Sequence, residues 1–213
     1  SFRGARHLSK TTVHKYMNKA LNLAAIIMRK KPGYKSSKKH KIFDNLLKQN
    51  FEVHEKNKVW CTDFTYMRQP NGKFRYNCSI IDLFDRSAIV SINDNYINTE
   101  LAIKALTKAL EQEKPSKGLI LHSDQGVQFA SWEFVVFCKE HGIIQSMSKA
   151  GCPYDNAPME RFYNTFKNCF YYRFTFDSVE KLDEMTKEYI NWYNYVRPHS
   201  YNNYLTPMEV RFN

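Results

Sequence analysis

Three acidic residues, each inside a short motif of its own, are the part of this 213-residue chain best suited to chemistry: Asp63 in VWCTDFTYM, Asp124 in LILHSDQGVQF and Glu160 in CPYDNAPMERFYNTFK. Sixty residues separate the first two and 35 the second from the third. Clustered carboxylates are hard oxygen donors of the kind Mg²⁺ prefers, and paired Mg²⁺ ions are a common means of breaking and joining phosphodiesters. Spacing alone is weak evidence, because a chain with 21 Asp and Glu holds roughly one acidic pair at any separation by chance. The elements that carry the acids decide the matter.

Asp63 lies in a run of β-branched and aromatic residues from Val59 to Met67 that predicts a buried strand. Asp124 ends a second apolar strand, Gly118 to Ser123, with Gly126 permitting a sharp exit into a loop. Glu160 falls near the start of a helix for which Asp155 is the expected N-cap, with Pro158 in the first turn, where a missing N–H costs nothing. From residue 57 the pattern predicts strands at 59–67, 74–82 and 87–95, a helix at 99–113, a strand at 118–123, a helix at 131–141, a strand at 143–148 and two further helices. A right-handed crossover through helix 99–113 would set the Asp124 strand beside the Asp63 strand.

The W-x-x-D strand, the H-S-D-x-G-x-Q-F turn, the D-N-A-x-x-E helix start and the tail NWYNYVRPHSYNNYLTPMEV together resemble the transposases of the insertion-sequence-three family, a bacterial branch of the retroviral-integrase superfamily. The match runs from about Ser9 to the C-terminus. It implies a ribonuclease H-like α/β fold, a mixed five-stranded sheet flanked by helices, which the order of predicted elements also suggests. It implies that Asp63, Asp124 and Glu160 are the catalytic and metal-binding triad for cleavage at transposon ends and strand transfer. Two Mg²⁺ ions, with Mn²⁺ able to substitute, would turn the triad's −3 into about +1, a seat for a phosphodiester. Implied partners are double-stranded DNA (terminal inverted repeats and target), at least a second copy of the chain, and an upstream-encoded helix-turn-helix segment, separate or fused. A structure-specific nuclease on the same fold and a non-catalytic DNA-binding regulator are the alternatives.

The net charge of +11 is unevenly spread. Residues 1–48 hold 13 Lys and Arg against one acid, and the remainder is close to neutral. A stretch so basic calls for a polyanion. Ser9 is positioned to cap a helix reaching about Ala24, with Val13, Met17, Ala20, Leu21 and Ala24 as its apolar stripe. Lys10, His14, Lys15, Asn18 and Lys19, with Arg29, Lys30 and Lys31 beyond, are the expected DNA contacts of this arm, which resembles the last helix of the family's helix-turn-helix. The expected organisation is a partial helix-turn-helix segment at 1–28, a basic linker at 29–56, the catalytic core at 57–176, and a C-terminal helix and tail at 177–213 that complete the core. No apolar run is long enough to span a bilayer and the start is no signal peptide, so a cytoplasmic, nucleoid-associated protein without a membrane partner is expected. Five scattered cysteines with no C-x-x-C pair argue against disulfides and zinc, and core thiols are expected.

Around the triad, His122 is two residues before Asp124 and expected on the same side, near the ions or the scissile phosphate, with a satisfied histidine behind the acids favoured over a proton-transfer role. Asn164, Lys167 and Tyr171 follow Glu160 on one helix face, Asn164 and Lys167 as candidate phosphate contacts, while Phe162, Phe166, Cys169 and Phe170 fall at core spacing. Gln128 and Asn156 resemble positions held by the same residues in the family and are candidates for orienting DNA, with turn-stabilising amides as the alternative. In the tail, Arg197 and His199 are expected to brace structure, and Thr206-Pro207-Met208-Glu209 has capping-box chemistry.

Overall fold

A computed structural model describes residues 9–23, 41–69 and 71–213. Residues 1–36 and 37–213 form separate compact units. In the first, Ser9 caps helix α1 (Lys10–Lys15) by accepting from the Thr12 N–H, as expected. The helix does not run on to Ala24: a wider π-helical turn covers Tyr16–Ala20, and Asn22 takes a positive φ of 51°. Val13 and Met17 remain exposed.

In the second unit, strands β1 (Val59–Arg68), β2 (Phe74–Asp82), β3 (Ala88–Asp94), β4 (Ile120–Ser123) and β5 (Ile144–Met147) form one sheet in the order β3-β2-β1-β4-β5. The β1/β2 and β2/β3 pairs are antiparallel, and β1/β4 and β4/β5 are parallel. This is the mixed sheet expected, with the Asp63 and Asp124 strands adjacent. Helices α2 (Thr99–Glu113), α3 (Trp132–Glu140), α4 (Ala157–Phe166), α5 (Val179–Tyr195) and α6 (Pro207–Phe212) complete the unit. Asn98, Ser131, Ser178 and Thr206 cap α2, α3, α5 and α6, the last with the expected capping box to Glu209.

Strand alternation divides the core in two. Trp60, Cys78 and Ile80 face one apolar cluster with Leu101, Leu106, Phe129 and Phe134 of the α2/α3 side. Cys61, Met67 and Ile81 face the other, with Met159, Phe162, Phe166 and Tyr189 of the α4/α5 side. Asp63 shares the parity of Cys61 and Met67, so its side chain is directed toward the α4 side.

Three expectations change here. The linker expected through residue 56 is packed against the core within residues 43–53: Phe43, Leu47, Phe51 and Val53 join the two clusters, and the Met147 N–H donates to the Asp44 carbonyl. The basic run that marks the linker ends at Lys41, and beyond it the burial of these apolar residues outweighs the cost of ordering the segment. Asp155 does not cap α4, because a 3₁₀ turn at Pro153–Asn156 precedes that helix and leaves Asn156 in the cap position with no side-chain bond. Not all cysteines are core thiols: Cys61, Cys78 and Cys138 are buried, but Cys152 and Cys169 are exposed. After α4 a π-helical turn at Lys167–Tyr171 adds a residue to the helical repeat, which takes Cys169 off the buried face while Phe170 stays on it.

Candidate active site

Asp63 sits midway along β1 and is partly buried, whereas Asp124, just past β4, and Glu160, in the first turn of α4, are exposed. One oxygen of each aspartate is oriented by its own backbone. Asp63 Oδ1 accepts from the Phe64 N–H at 2.7 Å, and Asp124 Oδ1 accepts from the Gly126 N–H at 2.8 Å. The three charges feel one another. Burial raises the Asp63 carboxyl well above the usual carboxylate range, and the negative charges of Asp124 and Glu160 push the same way, opposed by the Phe64 bond and by Lys167. That mutual repulsion is what a divalent cation would relieve, and the hard oxygen donors fit Mg²⁺. Among the described residues no group of three or more His, Cys, Asp and Glu side chains is gathered closely enough to hold a metal ion as it stands.

Gly126 has a steric role. A Cβ there would lie 2.9 Å from Asp124 Oδ1 and 3.2 Å from Gln128 Oε1, so any side chain would displace the carboxylate or the amide. Gln128 is partly buried, with its Nε2 3.5 Å from the Ile97 carbonyl of the loop before α2.

His122 is fully buried and out of reach of a phosphate. Its Nδ1 lies 2.8 Å from Ser146 Oγ, and its Nε2 lies 2.9 Å from the Asp155 carbonyl and 3.1 Å from Ser148 Oγ. The carbonyl can only accept, so Nε2 carries the proton and donates to it. Burial lowers the imidazole pKa, against the opposing pull of Asp155, which favours the neutral ring. His122 thus ties β4 and β5 to the turn before Glu160. The Asp155 carboxylate anchors that turn further, accepting from the Lys149 N–H and Gln49 Nε2, both at 2.9 Å.

On α4 and beyond, Lys167 lies over the Tyr66 ring, 4.9 Å from its centroid, beside the carboxylates. Asn164 points elsewhere, its Oδ1 accepting from Asn168 at 2.7 Å on the exposed surface. Asn156 is buried at 5% exposure, and neither of its amide atoms has a hydrogen-bond partner among the described residues. In the arm, Lys10, Lys15 and Lys19 are exposed, while Asn18 and His14 bond to each other. Arg29, Lys30 and Lys31 lie outside the described residues.

Sequence reasoning missed two groups. Tyr163, three residues after Glu160, places its hydroxyl 2.7 Å from the Asp63 carbonyl. Helical spacing put it one turn along from Glu160, but nothing local showed that its oxygen reaches β1. Arg211 of α6 is buried among Asp82, Asp85 and Glu113, a cluster with no signal in the sequence because its acids lie 98 to 129 residues from Arg211 along the chain. His199 and Arg197 brace, as expected: His199 Nε2 donates to the Tyr193 carbonyl at 3.1 Å, and both residues pack on the Tyr193 ring.

Comparison with known proteins agrees with this fold. Two models, each described as an integrase core domain, match residues 53–153 and 141–207. A transposase-like protein of Haemophilus influenzae is 35% identical over 80% of this chain and 78% of its own length. InsK of the Escherichia coli insertion element IS150 and InsF of IS3A are each 34% identical over 78% of this chain, and the match spans only 59% and 58% of their lengths. The HTLV-2 integrase catalytic core domain, solved in complex with magnesium, has the same fold with a TM-score of 0.60 at 18% identity, over 73% of this chain and 97% of that one. A chain of a simian T-cell lymphotropic virus intasome superposes with a TM-score of 0.67 at 17% identity, over 83% of this chain and 61% of that one. No helix among the described residues is long and apolar enough to cross a membrane. The chain belongs to the transposases of the insertion-sequence-three family and carries their integrase core.

Proposed function

We propose that this chain is the catalytic part of a DNA transposase that cuts at the ends of its element and joins them to target DNA, with Asp63, Asp124 and Glu160 as the reactive centre. The observation that carries the reading is the electrostatic convergence of Asp124 and Glu160 on Asp63 from a neighbouring strand and a packed helix. Asp63, Asp124 and Glu160 would hold the Mg²⁺, two ions in this reading, and Mn²⁺ has the same donor preference. When bound, such ions activate an attacking oxygen and offset charge on the leaving oxygen.

The chain's own groups do the rest. Phe64 and Gly126 N–H groups hold the two aspartates in place, and Lys167 contributes a cation beside the incoming phosphodiester. Asn156, whose amide is buried, acts through the turn that leads into the Glu160 helix, and Gln128 lines the loop beside Asp124. His122 acts only through the turn it holds. The exposed lysines of α1 and the basic segment after it bind phosphates, giving affinity that falls steeply with salt. Two DNA ends must be held together, so the active form is at least a dimer on DNA, working with an upstream helix-turn-helix segment.

The test is a duplex carrying the element's ends. Asp63→Asn, Asp124→Asn and Glu160→Gln should each abolish Mg²⁺-dependent nicking while leaving DNA binding intact; full cleavage by any of them sinks the assignment. Pre-cleaved ends then separate joining from plain hydrolysis, because a structure-specific nuclease gives no strand-transfer product.

A further inference from the structure

Tyr163 lies on α4 one turn beyond Glu160, with 6% of its surface exposed. Its hydroxyl donates to the Asp63 carbonyl at 2.7 Å and accepts from the Ser79 N–H at 2.9 Å. Ser79 is the residue directly opposite Asp63 in the β1/β2 pair. A side chain from the helix of one acid therefore reaches into the strand seam at the residue that carries another. Behind it, Asn77 bonds Ser91 and Asn93, each at 2.8 Å, and Asn93 bonds Asp183 and Thr186 of α5, each at 2.9 Å. The ring packs against Phe162 and Phe166, so its hydroxyl has little freedom to withdraw.

We propose that Tyr163 is a positioning residue that fixes the separation of Asp63 from Glu160 and thereby sets the divalent-ion affinity of the site. This rests on reading the three acids as the metal site. A buried hydroxyl satisfied as both donor and acceptor resists displacement, since either partner would otherwise be left unpaired. Metal affinity in turn follows donor placement, and groups that orient ligands from behind typically change it about 10- to 100-fold when removed.

The experiment compares Tyr163→Phe with Tyr189→Phe in the full chain. Tyr189 sits in the same aromatic cluster, but its buried hydroxyl has no hydrogen-bond partner among the described residues, so its removal is a control for losing a core oxygen. Calorimetric titration with Ca²⁺ alone reads affinity, and nicking of an end-bearing duplex across a Mg²⁺ series reads function. Y163F should weaken Ca²⁺ binding about 10-fold and shift the Mg²⁺ half-saturation equally, with activity recovering at high Mg²⁺, while Y189F matches the parent. Parental Ca²⁺ affinity in Y163F, or an equal loss in Y189F, overturns the proposal. Asp63→Asn is run alongside: if it also binds Ca²⁺ like the parent, the metal-site reading falls too, whereas loss in D63N alone refutes only the role of Tyr163. Should Y163F fail to fold, amide exchange in the parent decides. Ca²⁺ must then slow exchange of the Ser79 N–H, and indifference of that amide to Ca²⁺ overturns the coupling.

Discussion

Replacing Asp124 with asparagine should reverse the sign of its effect on stability when Mg²⁺ is added. In the metal-free protein the Asp63 carboxyl is raised well above its ordinary range, first by burial and then by the charge of Asp124. A carboxyl whose folded pKa exceeds its unfolded value of about 3.9 stabilises the fold only while protonated, so stability is lost as pH rises from that value through the raised folded one. The substituted amide would keep the bond from the Gly126 N–H, since its oxygen still accepts, and would remove one of the repelling charges. Each unit by which the Asp63 pKa falls back is worth about 1.4 kcal/mol. For a chain of this length 1 kcal/mol corresponds to roughly 2–4 °C in melting temperature. Without metal, at neutral pH, D124N should thus melt above the parent, and the advantage should vanish below about pH 4. With Mg²⁺ at about 100 times its dissociation constant the parent gains about 2.7 kcal/mol, or about 5–11 °C, and the variant gains little. Circular-dichroism melts in EDTA and in MgCl₂ over a pH series measure both. If D124N melts below the parent in EDTA, or if Mg²⁺ raises both curves equally, the repulsion argument is wrong.

Three further perturbations follow from other parts of the structure. Arg211→Met would leave Asp82 and Asp85, both fully buried, without their guanidinium, which should cost about 3–5 kcal/mol in a denaturant melt. The deficit should shrink toward low pH, because burial has already raised the Asp82 pKa and protonation removes the stranded charge; a loss under about 1 kcal/mol would show the cluster to be solvated. Gly126→Ala places a Cβ 2.9 Å from Asp124 Oδ1, so Mg²⁺-dependent nicking should fall about 10-fold or more with little change in melting, and undiminished nicking would refute the steric argument. Burial, with help from Arg197, pushes the His199 imidazole down to about 4, so its unfolded form binds the proton first and stability should drain away as pH falls from about 6.5 toward about 4. His199→Gln should flatten that limb of a melting-temperature profile, and an unchanged acid slope would assign the loss to other groups.

The strands and helices were legible because their signals are local. Runs of β-branched, aromatic and apolar residues set the five strands to within about two residues, and the capping box at Thr206 marked the start of the last helix. Misreadings arose where a local signal had a tertiary competitor. Asp155 has the chemistry of a cap, but Lys149 and Gln49 claim its carboxylate. Residues 43–53 follow the basic run that ends at Lys41 and read with it as linker, yet four apolar side chains dock them on the core. On the face projected from Glu160, Lys167 does lie beside Asp63 and over the Tyr66 ring, while Asn164, within the regular helix α4, gives its side-chain oxygen to a local neighbour, Asn168.

By itself the sequence singled out three acids as candidates, and determined what kind of element carries each and that the excess positive charge is confined to the first 48 residues. Those are properties of residue type and short-range spacing, which the chain carries before it folds. Only the tertiary structure decided that Asp63 faces the α4 side, that His122 is a buried tie and no DNA contact, and that Tyr163 joins the Glu160 helix to the Asp63 strand. The physical reason is that hydrogen bonds and charge interactions act over a few ångströms in space. Asp63 and Tyr163 are 100 residues apart in the chain and 2.7 Å apart between carbonyl and hydroxyl, and no local pattern encodes that approach.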